Sequence, residues 1–431
     1  MTANEILEYF QNKTIDSDWS FSLCKPSDTG KWTHNYHRYP AKFIPQIVER
    51  LIDEYIQSDN AHINDPFMGC GTTIVTAISR GLTASGTDIN KVGYLITKVK
   101  STPIEPTLLN RKLTAFLTTL DSLDSTMQIE PLIPKNHIDR INYWFPEMVQ
   151  ENLGVIFRLI NEEESKTIRN FLLVAFSHIL KNCSIWLQGS TKPTRDKKRI
   201  PPNPVVILRK QLNKMEIGNN FFFEVVPKKV RENLDAFLHI KIGDARCQPV
   251  EDNSVDLIVS SSPYVTSYEY ADLHQLTTIW LDLADDLTAY RKDFIGTSYK
   301  RYDNRMISSV IAKNTIEQMH TKNIKMAKEI EAFFLDMEEV FKESIRILKP
   351  GGRCCFVIGN TRLKGVNILN AQIFAESLQH AGFKLDRIIK REIPSKILPQ
   401  KRDEKTGRFA SANNFNSEAY PVEYIVVGLK E

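Results

Sequence analysis

Hydrophobic residues follow an alternating strand and helix pattern in the first part of the chain. Apolar side chains at helical spacing behind Pro45 predict a helix with one buried face. Short apolar segments at 61–63 and 83–89 predict strands, and the run 74–80 between them predicts a helix that Gly81 closes. A strand, a helix and a second strand in this order open a nucleotide-binding βαβ unit.

The same alternation returns in the C-terminal part of the chain. The last two apolar segments, joined by a long loop, fit an antiparallel pair at the edge of a parallel sheet. We therefore expect an α/β fold with a mostly parallel sheet and an antiparallel C-terminal hairpin edge. The pattern predicts strands at 237–243, 255–259, 353–358, 383–390 and 423–429, and helices at 91–100, 270–282, 326–348 and 371–381.

The stretch between these two parts has helical periodicity and no glycine-rich strand-to-helix turn. Helices are predicted at 108–123, 148–160 and 168–186. The predicted organisation is therefore an N-terminal arm, one α/β domain in two chain segments, and a mostly helical insertion. We place the arm, with a short helix over 5–11, at 1–30, the α/β domain at 31–103 and 237–431, and the insertion at 104–236.

Composition narrows the class of protein. Of the 431 residues, 42% are hydrophobic and 25% are charged, which is ordinary for a soluble globular chain. No apolar run approaches the roughly 20 residues of a membrane span, and the acidic, polar N-terminus is no signal peptide. The six cysteines show no Cys-x-x-Cys metal spacing. We expect an intracellular, cytoplasmic protein in the reduced state, without a structural metal.

The first chemical motif lies at the turn of the βαβ unit. It reads Asn-Asp-Pro-Phe-Met-Gly-Cys-Gly-Thr-Thr over residues 64–73, and its glycines let a ligand approach the backbone. Asp88 ends the next predicted strand, 17 residues after Gly71, about where an acid reaches a ribose. Asp65 ahead of the glycines suits a cationic ligand better than a pyrophosphate. The alternative is an ordinary glycine-rich turn.

The second motif is Ser261-Ser262-Pro263-Tyr264, directly after the apolar strand predicted at 255–259. It therefore falls at the carboxyl end of a strand, where ligands bind in open α/β sheets. Asp244 follows the preceding predicted strand and is equally well explained as a turn cap.

These motifs, in this order, resemble those of the S-adenosylmethionine-dependent DNA amino-methyltransferases. The resemblance implies a Rossmann-like methyltransferase fold with S-adenosylmethionine as the cofactor and no metal. Residues 64–73 resemble the cofactor motif, with Asp88 as the ribose acid and Asp244 as an acid near the adenine. The aromatic-basic segment before Pro45 resembles the part that holds the methionine end. The implied cofactor-binding residues are Tyr39, Pro40, Lys42, Phe43, Asp65, Pro66, Phe67, Gly69, Gly71, Thr72, Asp88 and Asp244.

The second motif resembles the catalytic turn of the same family, Ser-Pro-Pro-Tyr in cytosine-N4 enzymes, whereas adenine-N6 enzymes usually begin with Asp or Asn. Ser261 in the first position favours cytosine-N4, although Ser262 replaces the usual proline. The implied catalytic residues are Ser261, Ser262, Pro263 and Tyr264. The Ser261 hydroxyl and the Ser262 carbonyl would orient the target amine, and Tyr264 would stack on a base flipped out of the duplex.

The resemblance implies duplex DNA as a partner and a restriction endonuclease as a separate chain. The net charge of only +4 is weak evidence for a nucleic-acid partner, but two basic runs stand out within it. We expect them to neutralise phosphates, the alternative being a solvated loop. The candidate DNA-binding residues are Lys192, Arg195, Lys197, Lys198, Arg199, Lys401 and Arg402.

Three rival functions stay open on the sequence. Adenine-N6 methylation of DNA is the nearest. RNA guanine-N2 methylation uses a similar pair of motifs, but only about 30 residues precede the aromatic-basic segment, too few for an added RNA-binding domain. A non-catalytic DNA-binding module on a methyltransferase fold is the third, and measured cofactor affinity separates it from the enzymes.

Overall fold

The structure is a computed structural model of the 431-residue chain. It describes residues 1–39, 42–122, 129–190, 192–265, 270–297, 305–394, 401–402, 417–418 and 422–431. Tyr270 and the two short pairs at 401–402 and 417–418 are described by their backbone alone.

Seven of the described strands form one sheet in the order β3-β2-β1-β4-β5-β11-β8. The pairs among β1 to β5 are parallel, and β11 lies antiparallel to both β5 and β8. The predicted mostly parallel sheet with an antiparallel C-terminal edge is thus confirmed. The strands are β1 His62–Asp65, β2 Thr83–Asp88, β3 Leu238–Ile242, β4 Val255–Ser261, β5 Leu348–Ile358, β6 Thr361–Leu363, β7 Val366–Ile368, β8 Lys384–Glu392, β9 Lys401–Arg402, β10 Ser417–Glu418 and β11 Val422–Leu429.

Helices cover both faces of the sheet and most of the region between β2 and β3. Those before β3 are α1 Ala3–Gln11, α2 Pro26–Thr29, α3 Pro45–Tyr55, α4 Thr72–Ser79, α5 Lys91–Lys100, α6 Pro106–Ser122, α7 Ile138–Trp144, α8 Glu147–Glu162, α9 Lys166–Leu180, α10 Pro204–Val225 and α11 Lys228–Glu232. Those after it are α12 Tyr270–Leu273, α13 Gln275–Trp280, α14 Leu287–Lys292, α15 Val310–His320, α16 Ile324–Ile347 and α17 Asn370–His380. None is long and apolar enough to cross a membrane among the residues described.

Two helices differ from the sequence prediction in their extent. Helix α9 ends at Leu180 instead of continuing to Trp186, because the Ser184 hydroxyl bonds the Lys181 carbonyl and the Trp186 N–H locally. The helix predicted at 270–282 is divided into α12 and α13.

Helix α10 was not predicted, although it has 22 residues. Its buried face includes Gln211 and Asn219, which interrupt the apolar periodicity that reveals a helix in sequence. Both side chains bond backbone: Gln211 Nε2 donates to the Tyr36 carbonyl at 2.6 Å, and Asn219 bonds both backbone groups of Ile104. Polar residues therefore fix α10 in the fold.

The helical region shares one hydrophobic core with elements of the α/β part. Phe171 and Phe176 of α9 pack in the same buried cluster as Ile96 of α5 and Trp280 of α13. Two further clusters fill the two faces of the sheet. The proposed division into an arm, a catalytic domain and an insertion stays a prediction. Helices within 106–232 nevertheless share a core with α5, the helix that follows β2.

Helix α10 approaches the segment 32–35 so closely that only glycine fits at its crossing. A Cβ on Gly218 would lie 2.5 Å from the Trp32 carbonyl oxygen and 2.9 Å from the Tyr36 ring. Gly218→Ala should therefore lower the free energy of unfolding by about 1–3 kcal/mol, although alanine is ordinarily the better helix former. Urea denaturation measures this. Gly189→Ala, where a Cβ meets nothing within 4 Å, is the control, and equal stability of both variants would contradict the packing account.

Candidate active site

A cavity opens at the carboxyl ends of the parallel strands. It lies where β1 is flanked by β2 on one side and β4 on the other, so that the strand order reverses at this point. In open α/β sheets, ligands bind at such a switch point because the connections leave it in opposite directions.

Both sequence motifs contribute to the wall of this cavity. From the implied cofactor set, the lining residues are Tyr39, Lys42, Phe43, Asp65, Pro66, Phe67, Gly69, Thr72, Asp88 and Asp244, and from the implied catalytic set they are Ser261 and Pro263. Gly71, Ser262 and Tyr264 do not line it, and Pro40 lies outside the described residues. The fold thus brings together groups from chain segments that are up to about 220 residues apart.

Asp88 fastens the glycine-rich turn to the end of β2. Its carboxylate accepts the Gly69 N–H at 2.7 Å and the Asn90 N–H at 2.8 Å. Gly69 and Gly71 have φ values of +48° and +76°, which side chains with a Cβ rarely adopt. A Cβ on Gly71 would also lie 2.7 Å from the Thr97 side chain. Gly71 therefore shapes the turn from behind the cavity and does not form its wall.

Helix α5 holds the back of the turn with two side chains that sequence reasoning missed. The Thr97 hydroxyl donates to the Gly69 carbonyl at 2.9 Å, and the Lys100 ammonium donates to the Cys70 carbonyl at 2.5 Å. Lys100 is 1% exposed, and burial lowers its pKa to about 8. In sequence, Lys100 is the ordinary basic end of a helix, so no local signal distinguishes it.

Asp65 joins β1 to β4 beneath the cavity. Its carboxylate accepts the Ser260 hydroxyl at 2.7 Å and the Phe67 N–H at 3.0 Å. Burial raises the pKa of Asp65 to about 7 and that of Asp88 to about 6, despite these hydrogen bonds. Two carboxyl groups that resist ionisation therefore sit side by side at the carboxyl ends of β1 and β2.

The Ser261–Tyr264 turn begins at the last residue of β4. Ser261 pairs with Val357 of β5, and Pro263 then directs the chain along the cavity wall. Ser262 is 1% exposed, and its hydroxyl has no hydrogen-bond partner within the described part of the chain. Tyr264 is half-buried, with its ring about 3.4 Å from where a Cβ on Gly359 would stand. The Tyr264 ring therefore packs beside Gly359.

Asp244 serves as the turn cap that the sequence left open, and it also lines the cavity. It accepts the Arg246 N–H at 2.9 Å and pairs with the same guanidinium, which also reaches Asp336 at 2.8 Å. The two interpretations of Asp244 are thus compatible in one structure.

A further wall comes from the segment after α14, which the sequence analysis did not single out. Asp293, Phe294 and Ile295 line the cavity. Tyr290 positions them, because its hydroxyl accepts the Lys91 N–H at 2.9 Å and its ring packs edge-on against Phe294 at 5.1 Å. Residues 293–295 carry no recognisable sequence motif, so only the structure shows that they line the cavity.

The candidate DNA-binding residues differ in their availability. Lys192, Lys197 and Lys198 are exposed. Arg195 stacks on the Tyr143 ring at 4.1 Å, and Arg199 donates to the carbonyls of Ser184 and Asn182, so both hold the loop to the protein. Lys401 and Arg402 are described by backbone only, in β9. Within the described chain, no cluster of three or more His, Cys, Asp or Glu side chains could hold a metal ion.

Comparison with known proteins shows what the chain is similar to. Residues 4–98 match the N6/N4 family model described as DNA methylase. The chain is 28% identical over 398 residues to the Type II methyltransferase M.MvaI of Kocuria varians, covering 87% of each protein. It is 23% identical to the Type II methyltransferase M.BsoBI of Geobacillus stearothermophilus, over 81% of this chain and 78% of that one.

The chain is thus similar in sequence to S-adenosylmethionine-dependent DNA amino-methyltransferases. A solved S-adenosylmethionine-dependent methyltransferase from Methanosarcina mazei matches 92% of this chain and all of its own, at 10% identity and a TM-score of 0.29. A TM-score of that size supports no conclusion, so the similarity is argued from the sequence relatives alone.

The buried Asp65 carboxyl makes folding stability depend on pH. Its pKa of about 7 exceeds the unfolded value of 3.8, so the folded state binds more protons between these values, and stability falls as pH rises through that window. Asp65→Asn removes this loss while keeping an acceptor for Ser260. We therefore compare the free energy of unfolding of Asp65→Asn with that of wild type by denaturation at two pH values. The difference, variant minus wild type, should be larger at about pH 8 than at about pH 4 by at least about 1 kcal/mol. A difference independent of pH would show that Asp65 ionises normally.

Proposed function

We propose that this chain transfers a methyl group from S-adenosylmethionine to the N4 amine of cytosine in duplex DNA. The observation that carries the proposal is that one cavity is lined both by the glycine-rich turn and by the Ser261–Tyr264 turn, at the switch point of the sheet. A cofactor held by the first turn would then face a base held by the second. Similarity to the DNA amino-methyltransferases supports the reaction class.

The cavity fits the cofactor in charge and in hydrogen-bonding capacity. Four carboxyl groups line it, those of Asp65, Asp88, Asp244 and Asp293; Arg246 pairs with Asp244, and the ammonium of Lys42 also lies at the wall. An acidic wall favours a ligand with a positively charged sulfur. Each Asp88 oxygen accepts one backbone N–H and keeps a lone pair for a ribose hydroxyl. Glycine at 93 lets α5 approach the glycine-rich turn, since a Cβ there would lie 2.9 Å from the Gly69 carbonyl oxygen.

The bound cofactor supplies a methyl group on its sulfonium, and the protein supplies the position of the amine. An aromatic amine is a poor nucleophile because its lone pair is delocalised into the ring. The Ser261 hydroxyl and the Ser262 carbonyl can accept hydrogen bonds from the two N–H groups of the amine and so direct its lone pair towards the methyl group. Such positioning is worth roughly 7–11 kcal/mol of the barrier. Neither a metal nor a covalent nucleophile is required.

The target base must leave the duplex to reach this cavity. Tyr264 is proposed to stack on it. Serine at 261, rather than Asp or Asn, favours cytosine over adenine, which is the alternative target. The exposed Lys192, Lys197 and Lys198 are proposed to contact DNA phosphates.

The relatives suggest a biological setting. They are named Type II methyltransferases, and the alignments span 87% of M.MvaI and 78% of M.BsoBI. We propose that this chain likewise protects DNA within a restriction-modification system, with the cognate endonuclease as a separate chain.

Removing the Asp88 carboxylate should weaken cofactor binding. Asp88→Ala loses the ribose acceptor and leaves the Gly69 N–H without its partner, which should cost about 1–3 kcal/mol of binding free energy. Isothermal titration with S-adenosylmethionine measures the effect, and urea denaturation shows whether the fold survives. Unchanged affinity in a folded Asp88→Ala protein would sink the assignment of this residue.

Changes in the second turn should affect methyl transfer but leave cofactor affinity intact. Tyr264→Ala should lose stacking worth roughly 1–3 kcal/mol for the base, while Tyr264→Phe keeps the ring and should retain most activity. Ser261→Ala should lower turnover more than DNA affinity, because it removes an acceptor for the amine.

Transfer of labelled methyl groups to duplex DNA measures these variants, with cofactor titration in parallel. Wild-type turnover in both Ser261→Ala and Tyr264→Ala would mean that this turn only ends a strand. Lost cofactor affinity in both would assign the turn to the cofactor instead.

A further inference from the structure

Four basic side chains from three separate chain segments lie close to one another, and one of them, Lys42, lines the cavity. We call them the basic rim: Arg38 and Lys42 from the segment before α3, Lys181 from the end of α9, and Lys214 from α10. Arg38, Lys42 and Lys214 are exposed, and Lys181 is half-buried. The three segments are far apart in sequence, so no basic run predicts that these side chains lie together.

Specific contacts bring the three segments together. Gln211 Nε2 donates to the Tyr36 carbonyl at 2.6 Å, which fixes α10 beside residues 36–38, and Lys214 lies one turn further along the same helix. Arg38 reaches the Asn182 side chain at 3.4 Å, directly next to Lys181. The rings of His37 and His178, 5.4 Å apart, pack beneath these groups.

The basic rim borders the proposed reaction site. Lys42 lines the cavity together with Tyr39 and Ser261, while its ammonium donates to the His34 carbonyl at 2.9 Å. On its other side the rim continues towards the predicted DNA-binding loop. Lys181 donates to the carbonyls of Gln188 and Ser190 at 3.3 and 2.9 Å, which places it at the base of that loop.

No carboxylate of the described chain lies within ion-pair distance of any of the four cations. Other surface cations are paired, as Arg80 is with Asp53 at 2.8 Å and Lys384 with Glu431 at 2.7 Å. Burial lowers the pKa of Lys214, and the charges of Lys42 and Arg38 lower it further. The same two causes, burial and Arg38, act on the pKa of Lys181.

The groups packed beneath the rim do not offset this charge. Burial lowers the pKa of His37 to about 4, of His178 to about 2 and of His274 to about 3, so all three rings are neutral. Like charges gathered without counter-charges destabilise a fold, so the arrangement is accounted for by a ligand that supplies negative charge. A solvated face would not require three segments to converge through a buried hydrogen bond from Gln211 and an exposed one from Arg38.

We propose that the basic rim binds phosphates of duplex DNA beside the cavity, and that together with Lys192, Lys197 and Lys198 it forms one continuous DNA-binding surface. This inference rests on the proposed function, since it names where the DNA substrate is held. Backbone contacts of this kind position the duplex and carry no base specificity.

The test is the salt dependence of DNA binding. The variant Arg38→Gln/Lys214→Gln removes two rim charges and spares Lys42, which lines the cavity. Affinity for a fluorescent random-sequence duplex is measured over a series of salt concentrations. The slope of log affinity against log salt should fall by about 0.9 for each phosphate that the variant no longer neutralises.

The matched control is Lys228→Gln/Lys384→Gln, which removes the same charge at the opposite end of the sheet. Lys384 is the first residue of β8, which runs parallel to β5 because both strands pair antiparallel with β11. Lys228 follows Pro227, which contacts Gly81 ahead of β2. The control should keep the wild-type slope, and S-adenosylmethionine affinity should be unchanged in both variants.

Several outcomes would overturn the inference. An equal slope for the rim variant and wild type, in a protein that methylates DNA, would reject the basic rim while leaving the proposed function standing. An equal reduction in the rim and control variants would show a net-charge effect and would also reject it. If wild type neither binds nor methylates duplex DNA, the proposed function and the rim fail together.

Discussion

Two carboxyl groups at the carboxyl ends of neighbouring strands, those of the buried Asp65 and the half-buried Asp88, hold the candidate site together. Asp88 binds the Gly69 N–H and so ties the glycine-rich turn to β2. Asp65 binds the Ser260 hydroxyl and so ties β1 to the strand that leads into Ser261. Every proposed role in the cavity depends on these two links, because they set where the cofactor turn and the catalytic turn lie relative to each other.

Burial raises the pKa of both groups, to about 7 for Asp65 and about 6 for Asp88. Their ionised forms therefore cost stability in the empty protein. A cationic ligand in the cavity would offset that cost, since an opposite charge nearby favours ionisation. Stability is thus exchanged for a preorganised acidic site, which is the arrangement expected where binding geometry decides the rate.

The helical region supports the same turn from the other side. Helix α5 contributes Ile96 to the core shared with α9 and α13, and Thr97 and Lys100 to the carbonyls of the turn. Adjacent residues of one helix therefore connect the packing of the helical region to the cofactor site. Residues 104–236 are in this sense part of the machinery that shapes the cavity, in addition to their predicted part in DNA binding.

The sequence predicts the elements whose chemistry is local. The βαβ unit, the turn at 64–73 and the strand end at Ser261 are readable because glycine spacing, apolar runs and a terminal acid each have a local physical cause. The sequence does not predict features that form where residues from distant chain segments meet. Helix α10 is held by polar residues, Lys100 resembles any basic helix end, and the wall at 293–295 has no motif of its own.

The basic rim is the clearest case of convergence. Arg38, Lys181 and Lys214 become neighbours only through the contacts of Gln211 with Tyr36 and of Arg38 with Asn182. In the basic run at 192–199 the sequence instead suggests more charge for DNA binding than the structure leaves exposed. Arg195 and Arg199 are used to hold the loop, so only the lysines of that run face solvent freely.

The central claim is tested most directly by identifying the base that the protein modifies. DNA from cells that express the chain, and from cells that express the Tyr264→Ala variant, is digested to nucleosides and separated against standards. The account predicts N4-methylcytosine in the first sample and its loss in the second. N6-methyladenine would contradict the choice of base, and the absence of any methylated nucleoside despite measurable S-adenosylmethionine binding would contradict the proposed reaction.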